Sequence, residues 1–334
     1  MREPAFWWRN AGRAAALLAA ASAVYAAFAV RRMRRTGGRV GIPVLCVGNF
    51  TLGGAGKTPT ALALAKILLE QGERPFFLSR GYGGRLSGPV PVDATLHRAR
   101  DVGDEPLLLA RLAPTIVAHD RVAGAEMARA AGASLVVMDD GFQNPALHKD
   151  GSLVVVDGRR GIGNRRVFPA GPLRAPLELQ LQRTDAVLLV GEGDLPLELE
   201  AETKSRNIPV FRGRFEPDRE AVAALSGQKV LAFAGIGDPD KFFATLEDSG
   251  IAVPARQAFP DHHRYTPADA AVLLRRAEQE GLVLLTTEKD FVRLAGDEKL
   301  SALAARTRSF PVTLVFEDAA GLRDWMLPRL GPAE

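Results

Sequence analysis

The sequence predicts an α/β protein built around a parallel sheet. Three observations carry this. Apolar runs at 42–48 (IPVLCVG) and 134–138 (SLVVM) are short and do not alternate with polar residues, as strands covered on both faces do. A helical run, ALALAKILLEQG at 61–72, follows the first after a glycine-rich turn. From 229, KVLAFAGIGDPDKFFATLEDSG reads as strand, turn and helix. ADAAVLLRRAEQEG then reads as helix and LVLLTT as strand, which makes a second alternating unit.

The chain has 334 residues, enough for about two domains at roughly 150 residues each. Its single cysteine, Cys46, excludes an internal disulfide framework and a Cys-based zinc site. The organisation read from the pattern is a helix over 1–35, a main domain over 36–224 and a smaller α/β domain over 225–334. The last boundary is placed at Leu225-Ser226-Gly227. LVVVDG (153–158) and DAVLLVG (185–191) suit further strands of the main sheet. Between them, 159–184 is rich in Arg, Gly and Pro and reads as a long functional loop, while 192–224 shows no clear pattern.

The net charge is +4, but its placement says more than its size. Residues 1–40 hold eight arginines and one acid, Glu3, and the rest carries 35 basic and 38 acidic residues. A slightly acidic body argues against a nucleic-acid binder. Residues 14–30, AAALLAAASAVYAAFAV, carry no charge. Phe6, Trp7 and Trp8 precede them and Arg31-Arg32-Met33-Arg34-Arg35 follows. Spanning a bilayer takes about 20 apolar residues, so this stretch is at the short limit. Aromatics at one end and arginines at the other suit a membrane helix, spanning or lying in the interface, with the following domain on the cytoplasmic side. A cleaved signal peptide is disfavoured, because RRMRR lies where a small-residue cleavage site belongs. A core helix of a soluble protein is the remaining reading.

The first strand runs into NFTLGGAGKTPT. Strand, glycine-rich turn, Lys-Thr and helix is the arrangement of a phosphate-binding loop, which makes the main domain P-loop NTPase-like. Thr51, Leu52, Gly53, Gly54, Ala55, Gly56, Lys57 and Thr58 form the candidate nucleotide site. Glycines let backbone N–H groups close on phosphate oxygens, Lys57 reaches the β/γ-phosphates and the Thr58 hydroxyl can ligate Mg²⁺. Thr51 stands where the standard pattern has its first glycine. Leu52 stands where the related membrane-associated positioning ATPases carry a second lysine. Thr287-Glu288-Lys289-Asp290 misses the guanine-reading pattern by one place, so ATP is expected rather than GTP, and a kinase rather than a switch.

The second strand ends in Asp139-Asp140, where a P-loop enzyme holds its metal. Asp104, in GDEP ahead of the helical run LLLARLA, either caps that helix or accepts a proton from an attacking hydroxyl. Arg80 and Tyr82 in SRGYGG, and Arg121 in DRVAGA, suit an anionic substrate. His262 and His263 form the one adjacent pair among five histidines. In FPDHHRYT they could shape a proton-transfer network.

Taken in order, GNFTLGGAGKTP, SRGYGG, GDEP, DRVAGA, DDGFQ, GPLR (171–174), FPDHHRYT and TTEKDFVRL resemble the tetraacyldisaccharide 4′-kinase family. The resemblance runs to about residue 294. It implies transfer of the ATP γ-phosphoryl group to the 4′-hydroxyl of a tetraacylated, 1-phosphorylated glucosamine disaccharide in lipid A synthesis. It also implies a cytoplasmic-face, inner-membrane location, Mg²⁺ as cofactor and no obligate protein partner. By motif, Asp139 and Asp140 fall in the metal site with Thr58, and Asp104 and His262 match a catalytic pair acting with Lys57. Arg80, Tyr82, Arg121, Gln143 and Arg174 match positions around nucleotide and lipid headgroup. The chain departs from the family at Ala175, usually Glu, with Glu178 close by, and at Asn144, often His. The alternatives are a membrane-associated P-loop ATPase acting as a switch, and a soluble kinase of a small metabolite.

Overall fold

The computed structural model describes residues 3–9 and 11–331. Its strands are β1 (Val44–Asn49), β2 (Pro75–Ser79), β3 (Val90–Pro91), β4 (Thr115–Val117), β5 (Leu135–Asp139), β6 (Gly151–Asp157) and β7 (Ala186–Val190). They continue with β8 (Val210–Pro217), β9 (Lys229–Ala234), β10 (Ala252–Ala258), β11 (Val283–Thr287), β12 (Thr307–Phe310) and β13 (Val312–Phe316). A nine-stranded sheet has the order β13-β8-β7-β6-β1-β5-β2-β4-β3, and a four-stranded sheet the order β10-β9-β11-β12. The small sheet is parallel throughout. The large one is parallel except at its two edges, where β3 and β13 run antiparallel.

The unbroken apolar runs have a simple cause. Along β1, Leu45 and Val47 face one core and Val44 and Cys46 the other, and both are buried. The helix Lys57–Glu70 and the C-terminal helix Ala319–Met326 cover the first face through Leu64, Leu68, Leu322 and Met326. Helices Arg121–Ala130 and Leu197–Ser205 cover the second through Ala125, Ala128 and Leu199. With both sides covered, the middle of β1 is apolar on both faces, and polar residues such as Asn49 and Asp139 come at the carboxyl ends of the strands.

The domain limits differ from those read in the sequence. The chain enters the small unit at Pro217–Asp218, not at 225, because Ala221 and Val222 already pack on the small unit's core. It also leaves that unit before the C-terminus. Pro311 carries it back, and β13 pairs with β8 in the large sheet. Leu314, Phe316, Leu322 and Trp325 then join the large core. The two crossings lie side by side, with Asp218 N donating to Pro311 O at 3.0 Å.

The N-terminal segment is broken into a short turn Ala5–Trp8, a helix Arg13–Leu17 and a helix Ala19–Met33. Among the described residues no helix is long and apolar enough to cross a membrane. One side packs on the 163–172 loop. Ser22 Oγ donates to Val167 O at 2.7 Å, Tyr25 and Trp7 meet Phe168 edge-on, and Trp7 Nε1 donates to Pro169 O.

Because the C-terminal helix belongs to the large unit, Leu322→Ala should destabilise that unit by about 2–5 kcal/mol, as for a buried leucine in a close-packed core. Urea unfolding followed by loss of nucleotide binding measures this. A change confined to the small unit contradicts the assignment.

Candidate active site

The site forms where β1 gives way to its glycine turn, beside the end of β5. The two strands are paired, with Val47 opposite Asp139, so the turn and the two acids meet at the carboxyl edge of the sheet. Thr58 Oγ1 donates to Asp139 Oδ2 at 2.9 Å. Lys57 Nζ donates to Gly53 O at 3.3 Å and lies 3.8 Å from Asp140 Oδ2. Two glycines of the turn have positive φ and no room for a Cβ. At Gly56 it would stand 2.8 Å from the Phe215 ring, and at Gly53 1.9 Å from Glu3 Oε1. Glu3 is held there by Arg160 at 2.7 Å and by Trp8 Nε1 at 3.1 Å.

Thr51 is tolerated in place of glycine because the backbone there is ordinary and already paired. It bridges Leu173, Leu52 N donates to Pro172 O, and Arg174 Nε donates to Thr51 O at 2.8 Å. Leu52 and Ala55 thus serve as backbone of the turn. Arg174 then forks onto Asp140, with Nη1 at 2.7 Å and Nη2 at 3.2 Å. One arginine therefore joins the start of the phosphate loop to the second of the paired acids.

The adjacent acids are driven apart in basicity. Burial, with Asp140 next to it, pushes the Asp139 carboxyl up to about 6. Against the desolvation of the same cleft, Arg174 and Lys57 hold Asp140 well below the usual carboxylate range. Burial lowers the Lys57 ammonium, partly offset by Asp140. Asp139 Oδ1 is buried and finds no partner among the described residues.

Asp104 sits across the cleft. It is the first residue of the helix Asp104–Leu109, whose N-cap position is taken by Gly103 at φ +91°. A Cβ on Gly103 would stand 2.7 Å from Tyr82 O. The capping reading of Asp104 is therefore replaced. Its side chain faces the small unit, where Arg293 Nε donates to Oδ2 at 2.6 Å and His262 Nδ1 lies 3.4 Å from the same oxygen. Burial would raise the Asp104 carboxyl, but Lys289, hydrogen bonding with Glu105, His262 and Arg293 hold it well below its usual range. Next door, Lys289 Nζ meets Glu105 Oε1 at 2.5 Å. Burial nevertheless pushes the Glu105 carboxyl up to about 7.

Of the two histidines, His262 faces the cleft, with φ +55° and its ring 5.0 Å from that of Tyr82. His263 stacks on Phe259 and meets Asp269 at 3.1 Å.

The remaining expected residues divide. Arg80 and Tyr82 are exposed, Tyr82 beside the His262 ring. Arg121 is buried at the start of its helix, where Nη1 donates to Ala118 O and Nε has no partner among the described residues. Burial, with Arg80 next, pulls its guanidinium down to about 10. Gln143 braces the loop. Its amide donates to Asn49 O at 2.7 Å and to Gln180 Oε1 at 3.0 Å. Glu178, close in sequence to Ala175, is engaged by Arg206, which donates to both its oxygens at 2.8 Å. The residues missed in the sequence are Glu105, Lys289, Asp290 and Arg293. Lys289 and Arg293 lie four apart on the helix Glu288–Leu294, a spacing that puts both on one face and was there to be read. Asp290 is fully buried and accepts from Gly235 N, Tyr265 OH and Thr287, so it offers nothing to a guanine base.

A phosphate loop with its carboxylates, closed by a second unit that brings a histidine to an opposed aspartate, defines a P-loop phosphotransferase. The sequence profile described as tetraacyldisaccharide-1-P 4′-kinase matches residues 14–331. The tetraacyldisaccharide 4′-kinase of Nitrobacter winogradskyi is 55% identical over 98% of this chain and 97% of its own length. That of Rhodopseudomonas palustris BisA53 is 56% identical over 100% and 97%. The crystal structure of LpxK from Aquifex aeolicus in complex with ATP has a TM-score of 0.73 and 26% identity, covering 95% of this chain and 99% of that one. The chain belongs to the tetraacyldisaccharide 4′-kinase family.

Arg174 carries two structural jobs, so Arg174→Ala should weaken ATP binding by about 10-fold or more, the scale of losing charge-assisted hydrogen bonds of about 1.5–3 kcal/mol. Titration calorimetry tests this. Unchanged affinity contradicts the bracing role.

Proposed function

We propose that this cleft performs the family's reaction, transfer of the ATP γ-phosphoryl group to the 4′-hydroxyl of tetraacyldisaccharide 1-phosphate, a lipid A precursor, with the residues above in the following roles. The observation that carries the assignment is the convergence of Lys57, Thr58 and Asp139 at one corner with Asp104 and His262 opposed to it. Lys57 and the backbone amides of the glycine turn bind the triphosphate. Asp104 accepts the proton of the sugar hydroxyl, and His262 steadies it. Phosphoryl transfer asks little covalent chemistry of the protein, so these contacts act by placement and by charge.

The metal corner fits Mg²⁺. Its donors are hard oxygens from Thr58, Asp139 and Asp140, and Asp139 Oδ1 is a buried acceptor without a protein donor. When bound, the ion would neutralise charge on the β and γ oxygens. Asp139 must be ionised to ligate, and its carboxyl is raised to about 6, so apparent Mg²⁺ affinity should fall as pH drops through that value. A titration monitored by nucleotide fluorescence checks this, and a flat profile from pH 8 to 5 contradicts it.

The acyl chains of such a substrate stay in a bilayer, and the N-terminal helices fit its surface. Leu17, Val24 and Phe28 are 86%, 60% and 71% exposed, and Val24 and Phe28, four apart, share the face of the Ala19–Met33 helix away from buried Ser22 and Met33. Sinking such side chains into the acyl boundary gains about 1.5–3 kcal/mol each, and the arginines at 31–35 add about 1 kcal/mol each on anionic lipid. This supports an interfacial helix at the cytoplasmic face of the inner membrane. Val24→Glu with Phe28→Glu should lower sedimentation with anionic vesicles while ATP binding stays unchanged. Unaltered sedimentation removes this helix from the membrane contact.

Labelled ATP and the phosphorylated lipid disaccharide test the whole reading. Lys57→Ala should abolish label transfer. Asp104→Asn should lower kcat by about 10²–10⁴ with little change in the ATP KM. A normal kcat with a raised KM removes Asp104 from the base role.

A further inference from the structure

The carboxylate read above as the base is gripped from the opposite unit. Arg293 stands 189 residues further along the chain, in the helix Glu288–Leu294. Its Nε donates to Asp104 Oδ2 at 2.6 Å, and its Nη2 donates to the same oxygen and lies 3.5 Å from His262 Nδ1. The remaining nitrogen, Nη1, donates to Asp290 Oδ1 and to Gly235 O, both at 2.7 Å. Asp290 is in turn fixed by Gly235 N, Thr287 Oγ1 and the Tyr265 hydroxyl. Every guanidinium nitrogen is thus used, and the Arg293 and Asp104 side chains are only 8% and 4% exposed.

Holding the two units together does not require this arrangement. Arg160 with Asp238 at 2.9 Å and Lys241 with Asp157 at 2.8 Å already join them at more exposed positions. A buried ion pair is a poor way to gain adhesion, because desolvation consumes most of its Coulomb energy. What it supplies is a fixed geometry. Both Arg293 contacts fall on Oδ2, while Oδ1 accepts a single hydrogen bond, from Glu105 N at 3.0 Å.

We propose that Arg293 is a positioning residue for the transfer: it clamps Asp104 through Oδ2, leaves Oδ1 as the oxygen that takes the hydroxyl proton, and so assembles the base only when the small unit sits on the large one. The step balances. The sugar O–H proton passes to Oδ1, the sugar oxygen forms a bond to the γ-phosphorus, and the bond from that phosphorus to the bridging oxygen breaks, leaving ADP with the electron pair. This rests on Asp104 being the base. The groups facing Asp104 are Arg293 and Lys289 from the Glu288–Leu294 helix, His262 from the loop after β10, and Glu105 from its own helix.

The test is a mutant cycle on the full chain, with Arg293→Met, Arg293→Lys, Asp104→Asn and the Met/Asn double variant, all checked for folding by thermal melting. Arg293→Met should lower kcat by about 10- to 100-fold, leave the ATP KM within about two-fold, and move the acidic limb of kcat/KM to higher pH. The limb moves that way because a cation that favoured the ionised carboxyl is gone. Arg293→Lys should recover part of kcat and keep the limb near its original place. In the Asp104→Asn background, adding Arg293→Met should cost less than about two-fold. Independent, multiplying losses with an unmoved limb would overturn the proposal. Near-normal turnover of Asp104→Asn alone would instead show that the base reading has failed, and the proposal would fall with it. If Arg293→Met does not fold, the lysine variant and its cycle with Asp104→Asn decide.

Discussion

The site depends on the pairing of β1 with β5. That pairing places a glycine turn, which offers positive charge and N–H groups, against two neighbouring carboxylates. Two acids side by side in a crowded cleft cannot share one environment. Arg174 and Lys57 favour the charged form of Asp140, while Asp139 is buried against Thr58 and becomes the more basic of the two. The pair is thereby split into an acid committed to the protein's own cations and one with an unsatisfied oxygen. Asp140 in turn offsets part of the burial that lowers the Lys57 ammonium.

The second unit supplies what the first lacks. It is inserted between β8 and β13, so two adjacent strands enter and leave it, and the large core closes only after the chain returns. Its helix Glu288–Leu294 presents Lys289 and Arg293 to Glu105 and Asp104. Buried charge of both signs meets at that contact. Such pairs contribute little net stability, and their worth lies in setting one geometry. The network behind Arg293, through Asp290, Thr287 and Tyr265, makes the presentation rigid.

Much of this was legible in the sequence, and the reasons are local. β1, the glycine turn and its helix announce themselves within 30 residues, and an apolar strand ending in Asp139-Asp140 has few other readings. The order of the short motifs pointed to the family. What stayed hidden was non-local. Nothing near Asp104 says that its partner is Arg293, although the spacing of Lys289 and Arg293 marked one helix face. The short strand at 312–316 looks the same whichever sheet it joins, so the return of the chain to the large core was missed. GDEP suggested a capping aspartate, but the cramped backbone beside Tyr82 gives that position to Gly103. The uncharged stretch at 14–30 suggested one continuous helix, whereas the chain breaks near Leu18 and spends one face on the 163–172 loop. Gln143, read from the motif as lying around the ligand, also braces the backbone at Asn49, a contact no local pattern announces.

Transfer requires one cleft to hold the phosphate loop and Asp104 at reacting distance. A crystal structure of the full chain with a non-hydrolysable ATP analogue and Mg²⁺ measures this directly. The terminal phosphate should lie on Lys57 and Thr58, with its phosphorus about 6 Å from the Asp104 carboxylate. That is the sum of a near-attack approach of about 3–3.5 Å and a hydrogen bond of about 2.6–3.2 Å. A terminal phosphate bound away from Lys57, or separated from Asp104 by more than about 10 Å with the two units in contact, would contradict it.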